Sequence, residues 1–489
     1  MTEETKLSIS AGFLGLTLVC LGISGFILWL RPPFLRQMEI FVVEEYSPPN
    51  LVVDAAKGQG TIEPWWLGFA QGGEEPGKQM LAGTERRMQA ISPTYVRLDH
   101  IFDDDYYGVV RREGGILKVS WRKLDEAVES IIKMGARPFF SLSYMPSAIA
   151  PSKTSKPTNW GEWQWLVEQI ILHYSGEKGI TDVYYEVWNE PDLEQFGKWK
   201  YYGNQNYLAL YDYAARGAVK ANSNSSVKPF RFGGPATTAL YQNWVTELVQ
   251  FTREHNLPLD FISWHRYSYD PAVFAKDVEL VNSWLGENHG YELIISEWGP
   301  DPGKTEVYAS SLSAAHAVTT VRQVLQQLHK AFAFEVKDGP DQGNFGWGLL
   351  THGSFQPKLR HKAFVFLRDM NGQRLLLTGE GSAVKAWAVK EGSEVRVVAS
   401  NYSLGEMKSE SVPLTIAGLS PGQYRLQWEF LQDGGDEKVV TITTSSDSVS
   451  QTVSLEPYEV VKFRLRKVEP IGRKDTENAT GFGKILLTE

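Results

Sequence analysis

The stretch VYYEVWNEPD at residues 183–192 decides the fold, because an apolar, aromatic run ends abruptly on polar residues. Valine and tyrosine favour a β-strand, and the Asn-Glu-Pro that follows them marks the end of that strand. A second run, LIISEWGP at 293–300, has the same form and carries Glu297 where the first carries Glu190. Each run therefore places a carboxylate where a strand gives way to a loop.

Short β-rich runs of this kind alternate with helical patterns. The eight runs are WWLGFA (65–70), YVRLD (95–99), PFFSLS (138–143), VYYEVW (183–188), FRFGG (230–234), FISWH (261–265), ELIIS (292–296) and NFGWG (344–348). Between them, Asn159 with Glu162 has the form of a helix N-cap, and another helix is expected after Ser120. Apolar strands that alternate with helices indicate an α/β fold, a closed (β/α)8 TIM barrel. A doubly wound open sheet is the alternative, which the lack of a Gly-rich phosphate loop disfavours.

The remaining segments differ in composition from the barrel. Residues 7–30 contain no charge and are long enough to cross a hydrocarbon core of about 30 Å, which predicts an N-terminal transmembrane helix, with a cleaved signal peptide as the alternative. Alternating strands near the C-terminus predict a β-sandwich. The predicted order is an anchor (1–36), a linker with a possible sandwich strand at 40–46 (37–60), the catalytic barrel (61–372), the sandwich (373–467) and a flexible tail (468–489).

Charge and cysteine content exclude several classes of function. The net charge of -9 gives no field for binding polyanions, so no nucleic-acid partner is expected, and strongly anionic glycans are disfavoured. The single cysteine, Cys20, permits neither an intramolecular disulfide nor a cysteine-rich metal site. The nine histidines lack metal-binding spacing. We therefore predict no metal and no cofactor.

The two glutamates carry the chemistry that the sequence predicts. In a barrel, the C-terminal ends of the strands meet at one mouth. Glu190 and Glu297, at the ends of the predicted fourth and seventh strands, would face each other there, and two carboxylates suit glycoside hydrolysis. Glu186 shares a face with Glu190 but lies deeper, so we interpret it as a buried, paired structural carboxylate.

Because alternate side chains of a strand share a face, further candidates lie at the same mouth. Arg97 and Asp99 end the second strand, and His265 and Tyr267 end the sixth. Arg97 and His265 also have structural interpretations, as an ion-pair partner and a core histidine. Aromatic residues that could stack on a sugar stand at three predicted strand ends, at Trp188, Trp298 and Trp347.

Seven runs resemble glycoside hydrolase family 39, a family of retaining (β/α)8 enzymes, and they occur in the family's order. They are YVRLDHIFDDD (95–105), MGARPFFSLSYMPSAIA (134–150), YYEVWNEPDLEQF (184–196), FGGPAT (232–237), DFISWHRYS (260–268), ISEWGP (295–300) and FGWGLLTHGSFQPKLRHKAF (345–364). They extend from the second strand to the last helix of the predicted barrel. The family includes β-xylosidases, α-L-iduronidases and bacterial hydrolases that act inside exopolysaccharide chains.

The resemblance implies a role for each matching residue. Glu190 matches the acid/base and Glu297 the nucleophile. The flanking matches are Asn189, which contacts the substrate 2-hydroxyl, Tyr267, which holds the nucleophile, Arg97 near the nucleophile, and His265 lining the sugar site. One departure concerns the second strand, where Arg97-Leu98-Asp99-His100 replaces Arg-x-His-Gly. Asp99 or His100 then stands for the family's histidine at the sugar.

These matches predict a retaining glycosidase that acts through a covalent glycosyl-enzyme. We expect Arg97 to keep Glu297 ionised, while Glu190 is protonated for the first step. The predicted anchor suggests an enzyme of the cell membrane with an extracytoplasmic catalytic domain. Its substrate would be a polysaccharide or oligosaccharide, with an exopolysaccharide as one candidate, and polysaccharide secretion machinery is a candidate partner. An exo-acting β-xylosidase-like enzyme and a catalytically silent glycan-binding barrel are the alternatives.

Overall fold

The structure, a computed structural model, describes residues 46–73, 75–341, 344–443 and 445–468. The predicted anchor at 1–36, nearly all of the possible strand at 40–46, and the tail after residue 468 lie outside these ranges. Within them, no helix combines the length and the apolar character that crossing a membrane requires.

Eight parallel strands close into a barrel, as the sequence predicts. Their bounds are Gly68–Gln71, Tyr95–Leu98, Arg137–Leu142, Val183–Val187, Phe230–Thr237, Phe261–Tyr267, Glu292–Gly299 and Lys330–Phe334. Each strand pairs with its neighbours along the chain, and the eighth closes the ring by pairing with the first.

The eighth strand differs from the prediction. Residues 344–348 were expected to form it, but Lys330–Phe334 does, bonded to both neighbouring strands. The run at 344–348 belongs to the loop that follows. A Cβ at Gly348 would lie 2.1 Å from the backbone nitrogen of Asp338, so glycine there lets two loop segments pack closely. The alternation of glycine and aromatic residues therefore reflects a packed loop and not a strand.

Helices surround the barrel. Those of the described residues are Glu85–Gln89, Arg122–Lys133, Trp160–Ile171, Tyr207–Asn222, Gln242–Glu254, Ala272–Leu285, Ser311–Gln323 and Leu359–Leu367, with short helical turns at Leu172–Glu177, Glu194–Phe196 and Thr305–Ala309. The predicted N-cap is confirmed, because the Asn159 side chain accepts a 2.9 Å hydrogen bond from the amide of Gly161. The helix it caps buries Trp163, Leu166 and Ile170.

The lower part of the barrel is filled by apolar side chains. This core consists of Ala70, Tyr95, Phe139, Tyr184, Phe261, Ile294 and Phe332. Because alternate side chains of a strand share a face, the next inward positions toward the mouth include Arg97, Ser141 and Glu186. All three are fully buried. A polar layer therefore lies directly above an apolar floor.

A second, β-rich region carries a nine-stranded sheet. Its strands are Leu51–Ile62, Gly372–Thr378, Val384–Glu391, Glu394–Asn401, Glu410–Ala417, Gly422–Phe430, Gly435–Ile442, Val449–Leu455 and Val460–Lys467. The N-terminal strand Leu51–Ile62 joins this sheet between Gly372–Thr378 and Glu410–Ala417. The sheet has its own hydrophobic core, to which all nine strands contribute. We call it the β domain; a separate two-stranded hairpin pairs Val110–Glu113 with Ile116–Val119.

The β domain packs directly on the barrel. Trp387 meets Trp66 edge to face, with ring centroids 6.4 Å apart. The Arg322 guanidinium forms an ion pair with Glu380 at 2.5 Å. The Tyr402 hydroxyl donates to the carbonyl of Tyr269 at 2.6 Å. The last contact reaches the loop after the sixth barrel strand, at the mouth of the barrel.

Candidate active site

Glu190 lies just after the fourth strand, in a sharp turn. Trp188 and Glu190 both have positive φ angles, 73° and 44°. Left-handed backbone costs a non-glycine residue about 1–3 kcal/mol, and such strain is concentrated at functional sites. The amide of Glu190 donates to the carbonyl of Ala236 at 2.9 Å, which fixes the turn. As a result Asn189 and Glu190, although adjacent, both line one cavity.

Glu297 reaches the same cavity because the seventh strand is irregular. Its register with the sixth strand skips Ser296 and pairs Glu297 with His265. Ile294 faces the barrel interior, so strict alternation would turn Ser296 inward and Glu297 outward. The bulge reverses this order and brings the carboxylate inward.

The two carboxylates meet beside one histidine. One oxygen of Glu190, one oxygen of Glu297 and a ring nitrogen of His265 all lie within 4.8 Å of one another. The His265 Nδ1 is 2.9 Å from Oε1 of Glu190 and 3.4 Å from Oε2 of Glu297. Both glutamates line a cavity of about 610 Å³, a volume usual for small-molecule sites. Two residues far apart in the sequence thus share one mouth.

Arg97 organises the floor of this cavity. Its guanidinium is fully buried and donates to Glu186 through Nε, to Glu297 through Nη1 and to Asn189 through Nη2, each at 2.8 Å. Glu186 is therefore a buried, paired carboxylate below the cavity, as interpreted from the sequence. The planar guanidinium fixes the three acceptors relative to one another.

Glu297 is surrounded by donors but is almost removed from water. Besides Arg97, the Tyr267 hydroxyl donates to its Oε2 at 2.9 Å. Burial raises the pKa of the Glu297 carboxyl to about 7, although His265 and Arg97 act to lower it. Arg97 thus favours the ionised form of Glu297, as expected, but the effect of desolvation on the pKa is larger than that of the guanidinium.

His265 lies beneath the carboxylates and does not line the cavity. Its side chain is fully buried, and its Nε2 has no hydrogen-bond partner among the described residues. Burial lowers the pKa of His265, but Glu297 and the hydrogen bond to Glu190 outweigh burial and raise it above its ordinary value. The contact with sugar predicted for His265 is wrong; its Nδ1 serves the two carboxylates instead.

Asp99 and His100 form the wall of the cavity at the second strand. The Asp99 carboxylate accepts hydrogen bonds from the His100 amide at 2.7 Å and from the Ser143 hydroxyl. The His100 Nδ1 lies 3.0 Å from the Asp103 carboxylate. Both Asp99 and His100 line the cavity, so both positions left open by the sequence are available to a ligand.

Trp298 lies away from the cavity. Its buried ring packs edge to face against Phe274, 5.9 Å between centroids, with the Arg360 guanidinium 5.1 Å from its centroid. The substrate contact predicted for Trp298 is wrong, because the bulge that turns Glu297 inward turns its neighbour outward. Trp188 is also buried, and its indole nitrogen donates to the carbonyl of Phe196. Trp347 does line the cavity, from the loop after the eighth strand.

Much of the cavity lining comes from residues that sequence analysis did not single out, most of them in loops. They are Gly72, Gly73, Leu193, Gln195, Phe196, Thr238, Ala239, Arg266, Pro302, Phe334 and Phe345. Behind the lining, the buried Tyr144 hydroxyl accepts from the side-chain amide of Asn189 at 3.0 Å. Most of these residues follow a strand on its C-terminal side, the one sequence signal that could have indicated them. Which of them turn inward depends on loop conformation.

The cluster also has the spacing of a metal site. Glu190, His265 and Glu297 each offer one ligand atom within 4.8 Å of the other two. The same spacing is accounted for by a proton on His265 Nδ1 that faces two carboxylate acceptors. The geometry of this cluster is therefore compatible with acid–base chemistry that involves protons alone.

Comparison with known proteins agrees with this geometry. The family model for glycosyl hydrolases family 39 matches residues 50–282. A β-xylosidase of Caldicellulosiruptor saccharolyticus is 28% identical over 366 residues, which cover 66% of this chain and 72% of that protein. A β-xylosidase of Geobacillus stearothermophilus is 30% identical over 207 residues, 39% of this chain and 40% of that protein.

Solved structures share the fold. A GH39 enzyme from Xanthomonas axonopodis pv. citri superposes with a TM-score of 0.73 at 20% identity, covering 88% of this chain and all of that one. A monomeric β-xylosidase from Caulobacter crescentus CB15 has a TM-score of 0.73 at 22% identity, covering 86% of this chain and all of that one. With one buried and one partly exposed glutamate at the mouth of such a barrel, the family model and the β-xylosidase relatives support glycoside hydrolase family 39 for this chain and indicate a glycosidase.

Proposed function

We propose that this glycosidase retains the configuration of the anomeric carbon, with Glu297 as nucleophile and Glu190 as acid/base. One observation carries the proposal: the nearest approach of the two carboxylates is within 4.8 Å. Retaining enzymes hold their carboxyl groups about 5–5.5 Å apart, whereas inverting enzymes need about 6.5–9.5 Å to admit a water. The observed approach favours direct attack on the sugar.

The first step transfers the sugar to Glu297. An ionised oxygen of Glu297 attacks the anomeric carbon while the bond to the leaving oxygen breaks. Glu190 donates its proton to that oxygen. Arg97 and Tyr267 hold the attacking carboxylate through hydrogen bonds of 2.8 and 2.9 Å. They fix its orientation, so it does not have to reorient during the reaction.

The second step releases the sugar. Glu190, now ionised, takes a proton from a water molecule, whose oxygen attacks the anomeric carbon and displaces Glu297. His265 Nδ1, 2.9 Å from Glu190, can donate a hydrogen bond to the ionised acid/base between the two steps. One carboxylate thus acts first as an acid and then as a base.

Asn189 is the residue proposed to contact the 2-hydroxyl of the sugar. Its Oδ1 accepts from Arg97 and its Nδ2 donates to Tyr144 at 3.0 Å, which fixes the orientation of the amide. An amide has a second lone pair and a second N–H. Asn189 lines the cavity beside Glu190, where a hydroxyl of the bound sugar can reach it.

We further propose that the enzyme is anchored in the cell membrane and acts on an extracytoplasmic polysaccharide. The support is the uncharged run at residues 7–30, which lies outside the described residues. An anchored enzyme stays beside a polymer as it is exported, which also suggests polysaccharide secretion machinery as a partner. Fractionation of cells, with protease treatment of intact cells, tests the location.

An exo-acting β-xylosidase-like activity is the second candidate, favoured by the two relatives named β-xylosidase. Measuring the sizes of the products released from a polysaccharide distinguishes exo action from action inside the chains. An exo-acting enzyme releases single sugars, whereas an enzyme acting inside chains lowers the polymer length first. The third candidate is a silent glycan-binding barrel, which would bind glycans without turnover.

Turnover of a panel of aryl glycosides by the full chain tests the proposal. We expect Glu297→Ala to abolish turnover and azide to restore part of it, because a small anion can take the place of the missing carboxylate. Glu194→Ala, which removes an exposed carboxylate near the mouth, is the matched control and should keep its activity. Binding of glycans without any turnover on the panel would favour the silent barrel instead.

A further inference from the structure

The wall at the end of the second strand suggests which sugars the site accepts. On the basis of the proposed glycosidase function, we propose that Asp99 makes the sugar position beside Glu190 and Glu297 selective for neutral sugars. It accepts sugar hydroxyls and excludes sugars that carry a carboxylate. The argument depends on the partners of Asp99, on the charges around the cavity and on the fixed position of His100.

The two oxygens of Asp99 differ in their partners. Its Oδ1 is occupied, since it accepts from the His100 amide at 2.7 Å and from the Ser143 hydroxyl. The contacts of Oδ2 are longer, with the Tyr144 hydroxyl at 3.5 Å and the His100 Nε2 at 3.7 Å. Asp99 lines the cavity and is only 7% exposed. A nearly buried acceptor of this kind is stabilised by a further donor, and a sugar hydroxyl supplies one.

The cations near the cavity are already paired. The Arg97 guanidinium contacts two carboxylates, Glu186 and Glu297. Arg266 lines the cavity but forms two hydrogen bonds with the Asp277 carboxylate, at 2.6 and 2.8 Å. Among the described cavity-lining residues, the other basic side chain is His100.

His100 is held in place and is itself flanked by acids. Its Nδ1 lies 3.0 Å from Asp103, and its ring packs on Tyr106 with centroids 4.3 Å apart. A Cβ at Gly73 would lie 2.5 Å from the ring, so the glycine backbone packs closely against it. The imidazole cannot turn toward a ligand carboxylate without leaving Asp103.

A uronate in this cavity would therefore place its carboxylate among Asp99, Glu190 and Glu297 without a cation of its own. A buried charge needs a partner, and like charges in contact are strongly disfavoured. We expect a preference of at least about 100-fold for a neutral sugar over the matching uronate. Asp99→Asn keeps the shape and the Oδ1 acceptor, and should reduce that preference by about tenfold or more.

The test compares glycosides that differ only at C6, namely aryl glucoside with glucuronide and galactoside with galacturonide. The ratio of kcat/KM within each pair is measured for the full chain, for Asp99→Asn and for Glu194→Gln. The last is a matched control that removes an exposed charge near the mouth. We expect the ratio to favour the neutral member, to fall in Asp99→Asn and to stay unchanged in Glu194→Gln. Using the ratio cancels any effect of Asp99 on the ionisation of Glu297.

Binding of the same pairs to Glu190→Gln, measured by calorimetry, separates this proposal from the proposed function. Selective binding of the neutral member, with no turnover by the unmodified chain, would support the selectivity and contradict the retaining mechanism. Turnover or binding of the uronate equal to that of its neutral partner would overturn the selectivity alone. An unchanged ratio in Asp99→Asn, or no binding of either member, would also overturn it.

Discussion

At the scale of single residues, the pH dependence should follow Glu297. The nucleophile acts in its ionised form, and burial raises the pKa of this carboxyl to about 7. Protonation therefore removes the nucleophile as the pH falls through that value. We expect kcat/KM to decrease about tenfold per pH unit on the acid side. A pH–rate profile of the unmodified chain checks this, and a rate that stays constant to about pH 5 would contradict it.

Asp99 should shift that profile. Its negative charge is one of the influences that raise the pKa of Glu297. Asp99→Asn removes the charge, so the midpoint of the acid limb should move to lower pH. Glu194→Gln should leave the midpoint in place, because its carboxylate is exposed to solvent. A shift of the Asp99→Asn midpoint to higher pH would show that the two carboxyl groups do not repel each other.

Chelation tests the other interpretation of the carboxylate cluster. If protons alone occupy the space between Glu190, His265 and Glu297, dialysis against EDTA should leave turnover unchanged. Elemental analysis of the purified chain provides the independent measurement. Loss of activity on dialysis that zinc or calcium restores would instead show that the three ligand atoms hold an ion.

At this scale, the sequence predicted which side chains form the site, but it did not predict their burial or the irregularity of the seventh strand. The alternation of side chains placed Arg97 and Tyr267 at the mouth, and the family resemblance implied their contacts with Glu297, which the structure shows. Sequence reasoning did not indicate the charge state of Glu297, which depends on the water that the surrounding residues exclude. It also assigned Trp298 to the cavity, because the bulge at Ser296 leaves no sequence signal.

At the scale of elements, seven barrel strands could be predicted, and the eighth could not. The true eighth strand, Lys330–Phe334, has five residues and lies only a few residues after a helix that ends at Gln323. Its closure of the ring depends on pairing with distant partners. The competing run at 344–348 had the right alternation, but Gly348 there allows the close packing of the loop.

The helix that begins after Asn159 offers a prediction about stability alone. Its cap bond to the Gly161 amide is 2.9 Å long and lies on the outside of the barrel. Asn159→Ala should lower the free energy of unfolding by about 1 kcal/mol. Chemical denaturation measures this loss, and kcat/KM should stay unchanged. A change in kcat/KM with full stability would contradict the structural role of the cap.

At the scale of the whole molecule, the β domain supports the active site through one loop. Tyr402 of the β domain donates to the carbonyl of Tyr269 at 2.6 Å, and His316 Nε2 lies 2.8 Å from the carbonyl of Ser268. Ser268 and Tyr269 directly follow Tyr267, whose hydroxyl donates to Glu297. The β domain thus fixes the backbone that carries a residue of the site.

Removal of the Tyr402 hydroxyl tests this support. Tyr402→Phe should lower kcat/KM by about three- to tenfold, since one hydrogen bond to the loop is lost. Tyr267→Phe should lower it further, by about ten- to 100-fold, because the bond lost is made to a charged carboxylate. Tyr424→Phe loses a comparable bond inside the β domain and is the control. Equal activities of the Tyr402 and Tyr424 variants would contradict the coupling.

The most direct measurement is the mass of the chain after reaction with a 2-deoxy-2-fluoro glycosyl fluoride of the best-accepted sugar. Such a reagent slows the second step more than the first, so a glycosyl-enzyme accumulates. We predict the addition of one fluorosugar, located by peptide mapping on Glu297 and absent from Glu297→Ala. A label on Glu190, or full turnover of the reagent with inversion at the anomeric carbon, would contradict the account.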